Sequence, residues 1–130
     1  MDPFAVLDAA ALREALGRSP DTRLFTSPSR RTWVSLVTKD HAAPVSELHD
    51  HEADVYLVLE GEAELRLGGR LAEARTVGPG QHRGTGIEGG EARRLAPGSV
   101  AVIPEGTAHM VDARSGRLVY LVVKQDVGAR

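Results

Sequence analysis

The sequence predicts an all-β fold, a barrel or sandwich of short strands behind one N-terminal helix. Three observations predict it. Runs of β-favouring residues recur between turn signals about every 8–12 residues, the pattern of small barrels and sandwiches. Residues 62–67 alternate, with Ala63, Leu65 and Leu67 on one face and Glu62, Glu64 and Arg66 on the other. Residues 54–59 are mainly apolar on both faces, Asp54, Tyr56 and Val58 on one, Val55, Leu57 and Leu59 on the other. One of those faces should line an interior. The other needs cover from the N-terminal segment, a second sheet or a second subunit.

Residues 8–17 read as the helix. Asp8 can cap its start, Leu12, Ala15 and Leu16 recur at helical spacing, and Gly17 can close its end. So short a helix must pack on something to persist. Ser19-Pro20 and Ser27-Pro28-Ser29 are breakers. Strands are expected over 23–26 and 32–38, where Trp33-Val34-Ser35-Leu36-Val37 is rich in β formers. After the Ala42-Ala43-Pro44 loop come strands over 45–51, 54–59 and 62–67, and Gly61 is placed to serve a tight hairpin between the last two. Residues 70–97 are broken by Gly78, Gly80, Gly84, Gly86, Gly89 and Gly90 and read as surface hairpins and loops. These glycines lack the strand-to-helix setting of a phosphate loop. Strands over 100–103, 108–113 and 118–124 complete the chain. The division expected is a helical segment, 1–22, and a single β domain, 23–130.

One domain is the natural reading of 130 residues. A net charge of -2, with both signs mixed along the chain, gives no electrostatic footprint for nucleic acid. The chain has no cysteine, which excludes disulfides and thiolate metal sites. Any metal must be held by His, carboxylate, water or substrate. No run approaches the roughly 20 apolar residues of a spanning helix, and Met1-Asp2-Pro3-Phe4 lacks the basic start of a signal peptide. We expect no membrane partner and a cytoplasmic location. Of the 16 basic residues only Lys39 and Lys124 are lysines.

Two stretches carry chemistry. In the first, His49 and His51 stand two apart, so on an unbroken strand both imidazoles face the same way. In the second, His109 follows the strand over 100–103 and the turn Pro104-Glu105-Gly106. Neutral imidazoles suit zinc, iron, nickel, copper and manganese.

These stretches resemble the two motifs of the cupin superfamily. The first motif is a glycine, five residues, His-x-His, three or four residues, Glu, six residues and Gly. Here His49-x-His51 fills the histidine pair and Gly61 closes the motif, at the right distance from Asp54. The second is Gly, five residues, Pro-x-Gly, two residues, His, three residues and Asn. Gly98, Pro104, Gly106 and His109 match it in spacing. Four positions depart: Ala43 for the leading glycine, Asp54 for the acid, only Glu52 and Ala53 between His51 and that acid, and Ala113 for the final asparagine. The resemblance covers about residues 43–113.

It implies a jelly-roll β-barrel holding one divalent transition metal ion (Fe, Zn, Mn or Ni) on His49, His51, His109 and Asp54. It also implies a pocket, in which Asp54 and, from its place on the same strand face, Tyr56 are the candidates to act on a bound molecule. Asp54 should point inward yet sit at the edge of coordinating distance. The activity expected is that of a metal-dependent enzyme on a small organic molecule, a dioxygenase or an isomerase, cyclase or lyase. The alternative is a non-catalytic sensor or carrier that binds metal or a small ligand in the same pocket. The partners expected are that small molecule and, from the second apolar face of 54–59, a second copy in a homodimer.

Overall fold

The computed structural model describes residues 3–128 apart from Gly17. The helix, α1, is Ala9–Leu16. Asp8 caps it: its carboxylate accepts the Ala11 N–H at 2.9 Å and its carbonyl accepts the Leu12 N–H at 3.1 Å. Gly17, expected to close the helix, lies outside the described residues. Ala15 is buried with Leu36 and Val119, and Leu16, Leu24, Leu59 and Leu121 pack around them. The short helix is thus held by burying one face on a sheet.

The strands follow in order: β1 Asp21–Thr26, β2 Thr32–Asp40, β3 Ser46–His49, β4 Glu52–Glu60, β5 Ala63–Leu67, β6 Arg70–Leu71 and β7 Arg75–Gly78. Then come β8 Gln81–Gly84, β9 Ile87–Glu88, β10 Glu91–Leu95, β11 Val100–Ile103, β12 His109–Asp112 and β13 Arg117–Asp126. They form a five-stranded sheet ordered β1-β2-β13-β4-β11, a six-stranded sheet ordered β10-β5-β12-β3-β8-β7, and the small pair β6-β9. The expected all-β jelly roll is what forms, with its two sheets facing each other across the core.

Period-two burial builds that core. Tyr56 and Val58 of β4, Leu65 of β5, Ile103 of β11, and Leu118 and Val122 of β13 are buried in one cluster. Asp54, Tyr56 and Val58 are all buried, so the inward face of β4 is the one expected. The opposite face is covered unevenly. Leu59 lies under α1, whereas Leu57 stays 37 % exposed.

One expected hairpin does not form. β4 and β5 belong to different sheets, so the link at Gly61 is a corner and not a tight turn between paired strands. The glycine is required all the same: its φ is 83°, and a Cβ there would overlap the Arg117 carbonyl oxygen. Residues 70–97 fold as short surface pairings, β7 with β8 and β6 with β9, while β10 extends the six-stranded sheet beside β5.

Candidate metal centre

The centre is built by register on two adjacent strands of the six-stranded sheet. Glu47 and His49 stand two apart on β3 and share its inward face. β12 pairs antiparallel with β3, and His109 sits directly opposite Glu47. Three side chains are thereby brought together, with one ligating atom from each lying within 4.8 Å of the others. The His49 Nε2 is 3.4 Å from the Glu47 Oε2, and the two imidazole rings are 5.0 Å apart, tilted by 57°. His49 and His109 are buried and Glu47 is half-buried.

Hydrogen bonds choose which nitrogen each ring offers. The His49 Nδ1 is 2.5 Å from the Gln81 Oε1, an atom that can only accept, so Nδ1 carries the proton. The Gln81 amide is fixed in that sense because its Nε2 donates to the Glu52 Oε2 at 2.6 Å. The His109 Nδ1 donates to the Thr107 carbonyl at 3.0 Å. Both rings therefore turn a bare Nε2 inward, and both Nε2 atoms are buried without a hydrogen-bond partner. Buried polar atoms are rarely left so. Burial, with His49 adding to it, holds the His109 pKa below its ordinary value, even though Thr107, Asp54 and Glu47 pull the other way, so that imidazole is neutral. Two imidazoles oriented to offer their Nε2 atoms, and a carboxylate, fit a divalent transition metal ion.

Asp54 enters from the other sheet. It is 1 % exposed, and its Oδ2 is 3.7 Å from both the His49 Nε2 and the His109 Nε2. The Lys124 ammonium donates to both its oxygens, at 3.0 and 3.1 Å. Asp54 thus faces the donor group but is engaged by a cation. Tyr56 is buried one inward step along β4, its ring 4.8 Å from that of Tyr120. Desolvation, with Tyr120, Asp54 and Glu47 adding to it, raises its pKa well above the ordinary value, so its hydroxyl stays protonated.

His51 lies apart from this group. It is exposed, and its ring packs beside Gly80 in the β7–β8 turn, where a Cβ would come within 3.2 Å of the ring. The expected pairing of His49 with His51 assumed an unbroken strand. β3 ends at His49 and β4 starts at Glu52, and the kink between them turns His51 outward. The pair that converges from one strand is Glu47-x-His49. Counted from there, four residues separate His49 from Asp54, which is the longer motif spacing, and the apparent one-residue shortage disappears. The leading-glycine position moves to His41, which has a positive φ of 51°. Glu47, Gln81 and Lys124 were not singled out by sequence reasoning. The spacing count carried a signal for Glu47. Nothing local distinguished Gln81 within its glycine-rich stretch.

A cavity of about 240 Å³ opens beside the group. The buried Asp54, Tyr56 and His109 line it with Glu47 and Lys124, and Asp21, Trp33, Lys39 and the exposed Arg23 also contribute to its wall. A larger groove of about 530 Å³ lies elsewhere, around Arg93, Arg94 and Arg114. It has no histidine, and those three arginines are already paired with Glu91, Glu62 and Asp112.

No protein-family model and no curated protein matches the chain. Solved structures do. BH2720 of Bacillus halodurans is 18% identical over 99% of this chain and 85% of its own, with a TM-score of 0.69. TT1209 of Thermus thermophilus is 24% identical over 88% of this chain and 93% of its own, with a TM-score of 0.64. A Cupin 2 conserved barrel domain protein of Salinispora arenicola is 19% identical over 82% of this chain and 74% of its own, with a TM-score of 0.56. The chain thus has the fold of small cupins. Among the described residues no helix is long and apolar enough to cross a membrane.

Proposed function

We propose that the chain is a metal-dependent cupin enzyme acting on a small organic molecule inside its barrel. Glu47, His49 and His109 hold one divalent transition metal ion, iron, zinc, manganese or nickel. The observation that carries this reading is the convergence of two buried, partnerless Nε2 atoms on one carboxylate. A bound ion supplies Lewis acidity to an oxygen of the bound molecule.

The protein's own groups do the rest. Gln81 and Thr107 keep the two imidazoles oriented. Asp54, held by Lys124, accepts a proton at its Oδ2 on the side facing the histidines. The Tyr56 hydroxyl, kept protonated by burial, donates a hydrogen bond to the bound molecule. The half-enclosed cavity limits water around these groups.

Metal analysis of protein purified without a histidine tag tests the centre. The wild type is expected to hold about one ion per chain, and His49→Ala and His109→Ala to lose it. Glu47→Gln is expected to weaken it, and His51→Ala to keep it. Retention of metal by the His49→Ala/His109→Ala double variant would place the site elsewhere. Aerobic and anaerobic substrate screens then separate a dioxygenase from an isomerase, cyclase or lyase. Ligand binding without turnover makes the protein a sensor or carrier.

A further inference from the structure

The cavity wall is charged in a way the metal centre does not use up. Three carboxylates line it, Asp21, Glu47 and Asp54, against three cations, Arg23, Lys39 and Lys124. Both lysines of the chain are among them. These charges balance, and an imidazole that ligates a metal is neutral, so a divalent ion on Glu47, His49 and His109 leaves the loaded cavity doubly positive. Charge in a partly enclosed site of low dielectric draws in a compensating anion.

The cations differ in what they have left to offer. Lys124 is engaged by Asp54. Lys39 stands six residues along β2 from Trp33, the residue opposite Lys124, which is about 20 Å at roughly 3.3 Å per residue. A small molecule at the metal centre does not reach it. Arg23 is better placed. It shares a cross-strand row with Ser35, Val122 and Tyr56, one inward step from the row of Trp33, Lys124 and Asp54. Three strand spacings, about 14 Å between backbones, separate it from β4, and its own long side chain shortens the gap. Its guanidinium lies over the Trp33 ring, 5.5 Å from the centroid, and donates to the Thr26 hydroxyl at 3.1 Å. Among the described residues no carboxylate lies within 4.0 Å of it. A guanidinium steadied on an aromatic face at a cavity mouth is arranged for planar, two-point recognition of an acid.

We infer that the cavity takes a small carboxylic acid, its carboxylate on Arg23 at the mouth and its other end at the metal centre. The inference rests on the metal reading for the excess positive charge, though not for the role of Arg23. The size agrees: about 240 Å³ is below the range of drug-sized pockets. A carboxylate fits better than a phosphate ester. No glycine lines the cavity, so no nest of backbone amides surrounds a third anionic oxygen.

Calorimetric titration of the tag-free, zinc-loaded protein tests this, with lactate, succinate, glutarate and benzoate against their amides, inorganic phosphate and glycerol 3-phosphate. At least one carboxylate should bind with its amide tenfold weaker or more. Arg23→Gln should weaken that carboxylate at least tenfold while zinc stays at one per chain, and Arg23→Lys should recover part of the loss. Arg23 is solvent-exposed on an edge strand, so these variants should fold. The inference is overturned if no carboxylate binds, if the amides bind equally, if Arg23→Gln binds as wild type does, or if only the phosphates bind. Zinc uptake without carboxylate binding would leave the metal reading standing alone. Arg23-dependent carboxylate binding by a protein that takes no zinc would do the reverse.

Discussion

Gln81 decides which nitrogen His49 presents, and it comes from the stretch with the least sequence signal. Its carbonyl oxygen holds the proton on Nδ1, and the Glu52 carboxylate keeps the amide from flipping. Removing such an orienting partner costs a metal site about 10–100-fold in affinity. Gln81→Leu is therefore expected to weaken metal binding by about that factor without changing thermal stability of the metal-free protein. Competition with a chelating dye measures it, and unchanged affinity would show that His49 is oriented by packing alone. At this scale the buried, inward placement of His49, His109, Asp54 and Tyr56 was legible, because motif spacing and strand parity specify it. His51 and Glu47 were exchanged. Parity holds only within one strand, and no residue type at Asp50-His51 announces that the strand stops there. A metal-binding glutamate also has no compositional mark, since surface glutamates in strands are ordinary.

Among the elements, the central ones were legible and the connections were not. The helix, the paired sheet strands and the inward face of β4 follow from capping, β propensity and alternation. Whether two consecutive strands pair with each other is a property of the whole topology, and Gly61 illustrates it. A left-handed glycine between two alternating runs reads as a hairpin turn, yet here it takes the chain from one sheet to the other beneath Arg117. Gly61→Ala should destabilise the protein by at least about 1–3 kcal/mol, the usual cost of forcing a residue with a Cβ into that backbone region. Overlap with the Arg117 carbonyl adds to it. Urea unfolding measures the loss. A change below about 0.5 kcal/mol would mean that the corner relaxes freely.

For the molecule as a whole, the outer face of the five-stranded sheet is the part left incomplete. α1 covers Leu59 and Leu121. Beyond it run two cross-strand rows, Val100–Leu57–Leu121 and Val102–Val55–Val123. Val100 and Val102 on the edge strand β11 are 62% and 63% exposed. We predict that a second copy packs here by a two-fold axis. Light scattering across a wide concentration range should give the dimer mass, and Val100→Lys/Val102→Lys should give the monomer. A wild type that stays monomeric throughout would refute it.

The two sheets also divide the centre between them. Glu47, His49 and His109 all stand on the six-stranded sheet, on neighbouring strands locked in register. Arg23, Asp54, Tyr56 and Lys124 all stand on the five-stranded one. On the proposed reading, the anchor of the metal and the selector of the bound molecule are separate walls of one room. Substitutions on the selector wall can exchange one molecule for another, or one proton-transfer route for another, while the anchor keeps its geometry. A lineage built this way diversifies by repapering a single wall.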